Sequence, residues 1–268
     1  MANASPLYSN TVSVLIGNGD GSFQEPSNLP VGIQPFTVAA ADLNGDFLSD
    51  LITANWDEAN AVSVLYGLGD GTFLPALPVD VGFAPISVTV ADLNFDGYTD
   101  LVTTNLEAGN LSVVLANGDG TYMAPQTLRA GTAPREALSG DFNFDGIPDL
   151  VVTNVGSNNV SVMLGLGDGT FTDPQHYPVG QIPVSVRIGD LNGDGISDLV
   201  TANYAYLSTT ISILLGNIDG TFRPAQHVQV GQQPIGVALV DMDGNGAQDV
   251  VVATFTYNRI YVLLNDRP

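Results

Sequence analysis

Cysteine is missing from this sequence of 268 residues, and its absence removes three kinds of chemistry. The chain has no disulfide, no thiolate metal ligand and no cysteine nucleophile. A protein outside the cytoplasm can be stabilised by bound calcium instead of disulfides. The lack of cysteine therefore leaves the compartment undecided.

Basic residues are few: the sequence has no lysine and six arginines, against 28 acidic residues. The formal net charge is -22 at pH 7, and the isoelectric point is about 4.1. Such a charge repels DNA, RNA and anionic lipid headgroups. We therefore expect no nucleic-acid partner, and we expect bound cations to relieve the repulsion within the chain.

Long apolar runs are missing as well. No run approaches the roughly 18 residues of a membrane-spanning helix, so no membrane insertion is expected. The first ten residues, MANASPLYSN, lack the basic and apolar regions of a signal peptide. If the protein is secreted, its signal has been removed or lies upstream of this sequence. Hydrophobic residues still make up 44% of the chain, enough for a large core.

An acidic segment recurs five times and organises the sequence. The first Asp of each copy follows the previous one by 50, 49, 49 and 51 residues. The copies are DLNGDFLSD (42–50), DLNFDGYTD (92–100), DFNFDGIPD (141–149), DLNGDGISD (190–198) and DMDGNGAQD (241–249). A second motif of the form GNGDGSF keeps the same spacing, with aspartates at Asp20, Asp70, Asp119, Asp168 and Asp219. A constant period of this length predicts a repeat architecture.

Each repeat contains four short β-strand patterns. In one repeat they are SVTVAD (87–92), DLVTTN (100–105), LSVVLA (111–116) and a weaker segment near TLRAG (127–131). These runs are rich in Val, Ile and Thr, and no window has a helical period. Four antiparallel strands in about 50 residues are typical of a β-propeller blade. We predict an all-β chain that forms a single β-propeller domain over residues 1–268, with about five four-stranded blades.

The ends of the chain leave the closure of this propeller open. The third-strand pattern VSVLL occurs six times, at 12–16, 62–66, 112–115, 160–164, 211–215 and 260–264. The last blade lacks a fourth strand, and NLPVG (28–32) is expected to supply it and to cover the sheet edge. The first VSVLI then lies outside a five-bladed ring, or the sequence belongs to a longer propeller. Self-assembly through this surplus strand is a further alternative.

The acidic segments have the ligand types and the spacing of a calcium loop. Oxygen-bearing side chains stand at positions 1, 3, 5 and 9, and four of the five copies have at position 6 a glycine that permits a sharp turn. Calcium takes roughly 6–8 oxygen ligands, and the backbone carbonyl of position 7 can complete the set. We predict up to five Ca²⁺ ions, bound by Asp42, Asn44, Asp46, Asp50, Asp92, Asn94, Asp96, Asp100, Asp141, Asn143, Asp145, Asp149, Asp190, Asn192, Asp194, Asp198, Asp241, Asp243, Asn245 and Asp249.

The alternative is that Asp and Asn only form Asx-turns between strands one and two. Three neighbouring carboxylates without a cation would repel one another, which favours a metal. Magnesium is disfavoured because it keeps several of its waters. Two copies depart from the pattern: Phe47 replaces the glycine of position 6, and Asp243 and Asn245 exchange the residue types of positions 3 and 5.

Taken together, the units resemble the FG-GAP/VCBS repeats, which form the blades of the integrin α-subunit propeller. The resemblance rests on the acidic segments, the VSVLL strands and the GDGTF turns, and it spans nearly the whole chain. It implies that the acidic segments bind calcium, and that the protein lies outside the cell or on its surface and works in adhesion, binding or display. It implies no single activity, because propellers carry unrelated functions. The five visible repeats differ from the seven blades frequent in that family.

The remaining motifs have structural interpretations. The GDG segment is expected to be a tight hairpin turn with positive φ. The aromatic residue after it is expected in the core between blades, at Phe23, Phe73, Tyr122, Phe171 and Phe222. His176 and His227 occupy equivalent positions and are expected on the surface. The connections between strands two and three vary most, and their aromatic residues either contact a partner or reflect drift: Trp56, Tyr204, Tyr206, Phe255 and Tyr257.

These observations favour a calcium-stabilised extracellular propeller that acts as a non-enzymatic interaction, adhesion or structural module with a protein or glycan partner. A carbohydrate-binding, lectin-like propeller is the alternative, and it predicts a polar and aromatic pocket. A polysaccharide-processing enzyme would need a non-repeating cluster of His, Lys, Tyr or Arg. The two His share one repeat position and the six Arg are scattered, so no catalytic residue is predicted.

Overall fold

The computed structural model describes residues 10–56 and 60–266, and these residues form 21 β-strands and no helix. In this part of the chain, no helix is long and apolar enough to cross a membrane. The prediction of an all-β chain is confirmed. The chain divides into two compact units, Met1–Leu128 and Arg129–Pro268. The single domain over 1–268 stays a prediction.

The first unit contains one two-stranded sheet and two four-stranded sheets, all antiparallel, with strands in sequence order across each sheet. The two-stranded sheet is formed by β1 (Thr11–Val14) and β2 (Ser27–Pro30). The four-stranded sheets are β3 (Pro35–Ala41), β4 (Asp50–Asn55), β5 (Ala61–Leu65), β6 (Leu77–Asp80), and β7 (Pro85–Ala91), β8 (Asp100–Asn105), β9 (Asn110–Val114), β10 (Gln126–Leu128). Strand β7 packs against β3 and β4, so the two four-stranded sheets are neighbours.

The second unit contains two four-stranded sheets and one three-stranded sheet with the same strand order. Its strands are β11 (Pro134–Gly140), β12 (Asp149–Asn154), β13 (Asn159–Met163), β14 (Gln175–Pro178), then β15 (Pro183–Gly189), β16 (Asp198–Asn203), β17 (Thr210–Leu214), β18 (Gln226–Gln229), then β19 (Pro234–Val240), β20 (Asp249–Thr254), β21 (Arg259–Leu263). Strand β15 packs against β11 and β12, and β19 packs against β15 and β16.

The four-stranded sheets are propeller blades of the predicted kind, but the expected role of the N-terminal segment is wrong. NLPVG (28–32) was expected to complete the last blade. Its first three residues belong instead to β2, which pairs antiparallel with β1 from Thr11↔Pro30 to Val14↔Ser27. The two strands are neighbours in the chain and form a hairpin with a Gly17↔Phe23 bridge, as the later repeats do. The first VSVLI strand is therefore paired, and the last sheet has three strands in the described residues.

The second and third strands of the four-stranded sheets are buried, whereas the fourth is mostly exposed. All six residues of β8 are buried, and β10 is exposed or half-buried. Apolar side chains from adjacent sheets share a core in each unit. In the first unit it includes Ile52, Val62 and Leu101, and in the second Val160 and Leu199. Burial of these side chains holds neighbouring sheets together.

In the four four-stranded sheets, a buried asparagine at the end of strand two ties segments of the repeat together. Asn105 Nδ2 and Gly82 N both donate to Ser112 Oγ at 2.9 Å. A Cβ atom at Gly82 would lie 2.2 Å from Asn105 Nδ2, so this glycine is required by close packing. The equivalent Asn–Ser bonds join Asn55 to Ser63, Asn154 to Ser161 and Asn203 to Ser212. The asparagines therefore satisfy buried polar groups of the scaffold.

Candidate metal centre

The five acidic segments all connect the first strand of a sheet to its second strand, as predicted. Position 1 follows the first strand directly, and position 9 is the first residue of the second strand. The position-9 residues are Asp50, Asp100, Asp149, Asp198 and Asp249, and all five have 0% exposure. The predicted ligands of each loop therefore lie on one short segment between two strands.

The position-9 aspartate holds two backbone segments together. Asp149 Oδ2 accepts a hydrogen bond from Phe142 N, and Asp149 Oδ1 accepts one from Gly165 N, both at 2.8 Å. The same two bonds recur in the other four loops at 2.7–2.9 Å. The aspartate thus joins position 2 of its loop to the chain just after strand three. From the sequence we predicted this aspartate only as a metal ligand, and the residue pattern did not indicate its role in joining these two segments.

Burial makes the charge of the position-9 aspartates costly. It raises the pKa of Asp50, Asp100, Asp149 and Asp198 above the ordinary value of 3.8. The two backbone N–H groups oppose this shift, and the carboxylates at positions 5 and 1 add to it through like charge. A cation in the loop would relieve both costs.

The position-1 aspartate is bonded differently in different loops. Where position 4 is glycine, its N–H donates to one carboxylate oxygen: Gly45 to Asp42 at 2.8 Å, Gly193 to Asp190 at 2.6 Å, and Gly244 to Asp241 at 2.7 Å. In the loops with Phe at position 4, only the position-6 N–H bonds to the aspartate, at Gly97–Asp92 and Gly146–Asp141.

The two loops with phenylalanine at position 4 contain an unsatisfied carboxylate oxygen. Asp92 Oδ1 and Asp141 Oδ1 are buried and have no hydrogen-bond partner. Phe95 and Phe144 adopt φ angles of 59° and 61°, which are unusual for bulky residues. These two loops therefore have the strongest need for a further partner at position 1.

Positions 3 and 5 form the hydrogen bonds of Asx-turns. Asn94 Oδ1 accepts from Asp96 N at 3.2 Å, and Asp96 Oδ1 accepts from Tyr98 N at 2.9 Å. The same pattern recurs through Asn44 and Asp46, Asn143 and Asp145, Asn192 and Asp194, and through Asp243 and Asn245. The turns of the alternative interpretation are thus present. Each accepting oxygen has a second lone pair, so the turns do not exclude a metal.

The last loop brings three carboxylates close together. One oxygen from each of Asp241, Asp243 and Asp249 lies within 4.8 Å of the other two. Two oxygens on opposite sides of one Ca²⁺ are about 5 Å apart, twice the metal–oxygen distance. The exchange of Asp and Asn at positions 3 and 5 therefore keeps a ligand set of suitable size. The backbone N–H of Gly246, followed by that of Gly244, lowers the pKa of Asp241.

The repeat that carries these loops identifies the family. The model of the FG-GAP-like repeat matches the sequence five times, over residues 4–53, 42–103, 96–152, 141–201 and 190–252. The chain belongs to the FG-GAP-like repeat family. No curated protein sequence matches the chain significantly.

Solved structures share the fold of these FG-GAP repeats at low sequence identity. An Agrocybe aegerita lectin that recognises non-reducing terminal N-acetylglucosamine is 21% identical, with a TM-score of 0.62 over 96% of this chain and 75% of the lectin. A Bacteroides uniformis protein described as a candidate 6-phosphogluconolactonase is 17% identical, with a TM-score of 0.70 over 94% of this chain and 73% of the Bacteroides protein. The Vibrio cholerae biofilm matrix protein Bap1 is 19% identical, with a TM-score of 0.52 over 85% of this chain and 37% of Bap1.

The first acidic loop of the FG-GAP repeats contains a strained residue. Phe47 replaces the position-6 glycine, adopts φ 65° and is 94% exposed. A left-handed backbone is unfavourable for a side chain with a Cβ atom. The departure noted in the sequence therefore has a local energetic cost and no compensating burial.

Replacing Phe47 with glycine is expected to stabilise the protein by about 0.5–1 kcal/mol, because glycine adopts this φ without strain. Urea unfolding followed by circular dichroism measures the change. Ser49→Gly is the matched control, since Ser49 is an exposed residue of the same loop without positive φ. An equal gain from both substitutions, or a loss from Phe47→Gly, would contradict this explanation.

The GDG turns have the predicted conformation. In four of the five turns, glycines on both sides of the aspartate have positive φ, for example 79° at Gly69 and 86° at Gly71; in the fifth, Ile218 precedes the aspartate and only Gly220 has positive φ. The aspartate accepts hydrogen bonds from the next Ser or Thr, as Asp70 does from Thr72 N at 2.9 Å. The following aromatic residue is buried at Phe222 and half-buried at Phe73, Tyr122 and Phe171. Phe23 is 62% exposed, so its predicted core position is wrong: it lies beside the two-stranded sheet.

The histidines and the variable connections are at the surface. His176 and His227 are exposed, with Nδ1 at 2.9 and 3.1 Å from Ser161 Oγ and Ser212 Oγ. Trp56 packs edge-on against Phe36, and Tyr204 packs edge-on against Phe255. Tyr206, Phe255 and Tyr257 are exposed. Residues 57–59 of the first connection lie outside the described residues.

Proposed function

We propose that this FG-GAP repeat protein is an extracellular calcium-binding propeller of the integrin α-subunit and VCBS type. It acts as a non-enzymatic interaction, adhesion or structural module. The observation that carries the proposal is the buried, unpartnered carboxylate oxygen of Asp92 and of Asp141. A buried carboxylate oxygen without a partner is costly, and a bound cation would remove that cost. Every other donor of these loops is also an oxygen, the ligand that Ca²⁺ prefers.

Calcium would supply positive charge among the three carboxylates of each loop. The side chains of positions 1, 3, 5 and 9 would hold the ion. Since the position-9 aspartate also binds the backbone after strand three, the ion would fasten the loop, strand two and that segment together. Metal that binds the folded chain alone stabilises it by mass action. The module would thus be most stable where calcium is abundant, as it is outside cells.

Calorimetric titration of the chelator-treated protein tests the calcium proposal. We expect saturable binding of Ca²⁺ and much weaker binding of Mg²⁺. Asp141→Asn is expected to remove one binding event. Asp168→Asn is the matched control, because it alters an exposed aspartate of a GDG turn and is expected to leave the stoichiometry unchanged. Absence of saturable Ca²⁺ binding in the wild-type protein would overturn the proposal.

Acidification is expected to have opposite effects with and without calcium. The raised pKa of Asp50, Asp100, Asp149 and Asp198 means that the metal-free folded state takes up protons at a higher pH than the unfolded state. Its stability therefore rises as the pH falls through the raised pKa toward 3.8. Exposed aspartates with a lowered pKa, such as Asp168, instead reduce the stability of the folded state, and they do so as the pH falls below 3.8. With calcium bound, protons must displace the ion, so acidification lowers the melting temperature.

Melting temperatures measured between pH 7 and pH 4, in chelator and in calcium, check these opposite slopes. A metal-free protein that loses stability steadily over this range would show that the position-9 carboxylates titrate normally.

Glycan binding is the second candidate function. The fold is shared with a lectin that recognises N-acetylglucosamine, and exposed aromatic rings such as Tyr206 and Tyr257 lie on the variable connections. A glycan array distinguishes a lectin, which would bind defined glycans, from a module with a protein partner, which would bind none.

An enzymatic role has less support. A non-repeating charged pair does occur, with Arg187 Nη1 at 2.9 Å from Glu136 Oε1. Glu136 Oε2 also accepts a hydrogen bond from Val186 N at 2.7 Å, so this carboxylate holds β15 against β11. Both oxygens of the glutamate are thus used by the scaffold.

A further inference from the structure

The last sheet, formed by β19, β20 and β21, has one apolar face that is not covered in the described residues. Val251 pairs with Val262, and Ala253 pairs with Ile260, so these side chains lie on the same side of the sheet. Ile260 is 72% exposed. We call this side the outer face; its apolar residues are Val240, Val251, Ala253, Ile260, Val262 and Leu264.

The equivalent face is buried in the four-stranded sheets. In the second unit, Val160 of β13 shares a core with Val186 and Leu199 of the adjacent sheet. In that core the face of one sheet packs against the face of the next, which removes apolar surface from water. The outer face therefore fits the apolar face of another β-sheet. The residues at the position of Ile260 are each 0% exposed in the other sheets: Val62, Leu111, Val160 and Ile211.

A second exposed sheet face lies on β3, but it cannot receive the outer face of another copy. Val38 of β3 is exposed, and it lines a groove together with Ala40 and with residues of β1. Val12 of β1 is buried. Strand β1 has the third-strand pattern, so it lies where the third strand of a docking sheet would have to lie. The outer face of a second copy has no such obstruction.

The charges around the outer face favour one orientation of two copies. Its six apolar residues carry no charge, so two chains with a net charge of -22 meet there with the least repulsion. Arg259 is exposed at the beginning of β21, whereas Asp243 and Asp266 are exposed near its other end. If the two β21 strands run in opposite directions, each Arg259 lies toward the acidic end of the other copy.

We propose that two copies of the chain form a symmetric dimer by packing their outer faces together. The two-fold axis lies between the two sheets and crosses the strands at the level of Val262. Val262 then faces Val262 of the partner subunit, and Ile260 faces Leu264 of the partner subunit. An isologous contact of this kind closes at two copies. The dimer does not depend on the calcium proposal, and it uses the last sheet, whereas the self-assembly expected from the sequence used the first strand.

Sedimentation velocity of the full chain, between about 1 μM and about 300 μM in calcium buffer, tests for the dimer. We expect the sedimentation coefficient to rise with concentration from the monomer value to the dimer value. Ile260→Glu is expected to raise the dimer dissociation constant about tenfold or more, because it places two carboxylates in an apolar contact. Leu166→Glu is the matched control: Leu166 is an exposed apolar residue of a GDG turn in the second unit, so this variant should dimerise normally.

The absence of cysteine allows a direct test of the symmetry. Val262→Cys introduces a single thiol that the proposed axis places beside the same thiol of the partner subunit. We expect a short bismaleimide to cross-link this variant into a covalent dimer. Leu166→Cys, treated in the same way, should stay largely monomeric. A head-to-tail contact would place Val262 against a different residue and would give no such dimer.

Three results would overturn the proposal. They are a wild-type chain that stays monomeric at all concentrations, unchanged dimerisation of Ile260→Glu, and equal cross-linking of Val262→Cys and Leu166→Cys. Circular dichroism checks the fold of each variant. If Ile260→Glu fails to fold, Ile260→Ser replaces it, and unchanged dimerisation of that variant then rejects the contact. Calcium titration of Ile260→Glu should match the wild type, so the calcium proposal and the dimer are tested separately.

Discussion

Replacing Asp149 with alanine is expected to destabilise the protein by about 2–5 kcal/mol. The carboxylate accepts hydrogen bonds from Phe142 N and Gly165 N inside the second unit. Alanine leaves both buried N–H groups without an acceptor, at about 1–3 kcal/mol each. Loss of the buried charge offsets part of this cost. Since small proteins are stable by only about 5–15 kcal/mol, the change is a large fraction of the total.

Urea unfolding of Asp149→Ala, Asp149→Asn and Asp168→Ala separates the effect of losing the backbone hydrogen bonds from the effect of losing a negative charge. The asparagine keeps one acceptor oxygen, so we expect an intermediate loss. Asp168 has the same charge but lies in an exposed turn, so Asp168→Ala should change the midpoint little. The measurements are made in chelator, where only the backbone bonds contribute. A wild-type midpoint for Asp149→Ala in chelator would show that the aspartate acts only through a metal.

Removal of calcium is expected to lower the melting temperature strongly. Five bound ions would change the formal charge from -22 to -12, five times +2, and so reduce self-repulsion. Each site held at 100 times its dissociation constant adds about 2.7 kcal/mol to stability. Thermal unfolding in calcium, in chelator and after calcium is restored measures the effect.

Magnesium at the same concentration is the control for this experiment. It should restore little of the lost stability, because it keeps its waters and rarely accepts an all-protein ligand set. Equal melting temperatures in calcium and chelator would mean that the acidic segments are Asx-turns alone.

Most of the fold could be predicted from the sequence because the same pattern is repeated. The Val-rich strand patterns, the GDG turns and the acidic connections recur at a fixed period, so each local prediction was supported by its copies. The strands SVTVAD and DLVTTN correspond to β7 and β8, as predicted. The predicted pairing of the N-terminal segment was wrong because the residue pattern identifies a strand but does not specify its partner strand. The adjacent β1 was available in the same hairpin and formed β2's ladder.

The candidate metal centre could be predicted only in part from the sequence. Residue types and offsets placed the acidic loops between strands one and two, but they carried no sign of the backbone bonds made by the position-9 aspartate. Only its place at the start of an apolar strand pattern indicated that the side chain would be buried. The unsatisfied oxygens of Asp92 and Asp141 occur in the two loops with phenylalanine at position 4, and neither the residue types nor their spacing indicates that these oxygens lack a partner.

The left-handed backbone conformation of the residues before proline was not predicted either. Ala84 adopts φ 56° although it is not glycine, and its carbonyl accepts a hydrogen bond from Leu106 N at 3.2 Å. The same conformation recurs at Gln34, Ala133, Ile182 and Gln233. The tertiary fold imposes it at the start of each first strand, against local preference.

The most direct test of the calcium proposal is a crystal structure from calcium-containing buffer, with diffraction recorded at a long wavelength where calcium scatters anomalously. We expect anomalous peaks among the side chains of positions 1, 3, 5 and 9, with those beside Asp92 and Asp141 the strongest. Water-like density without anomalous signal in all five loops would contradict it.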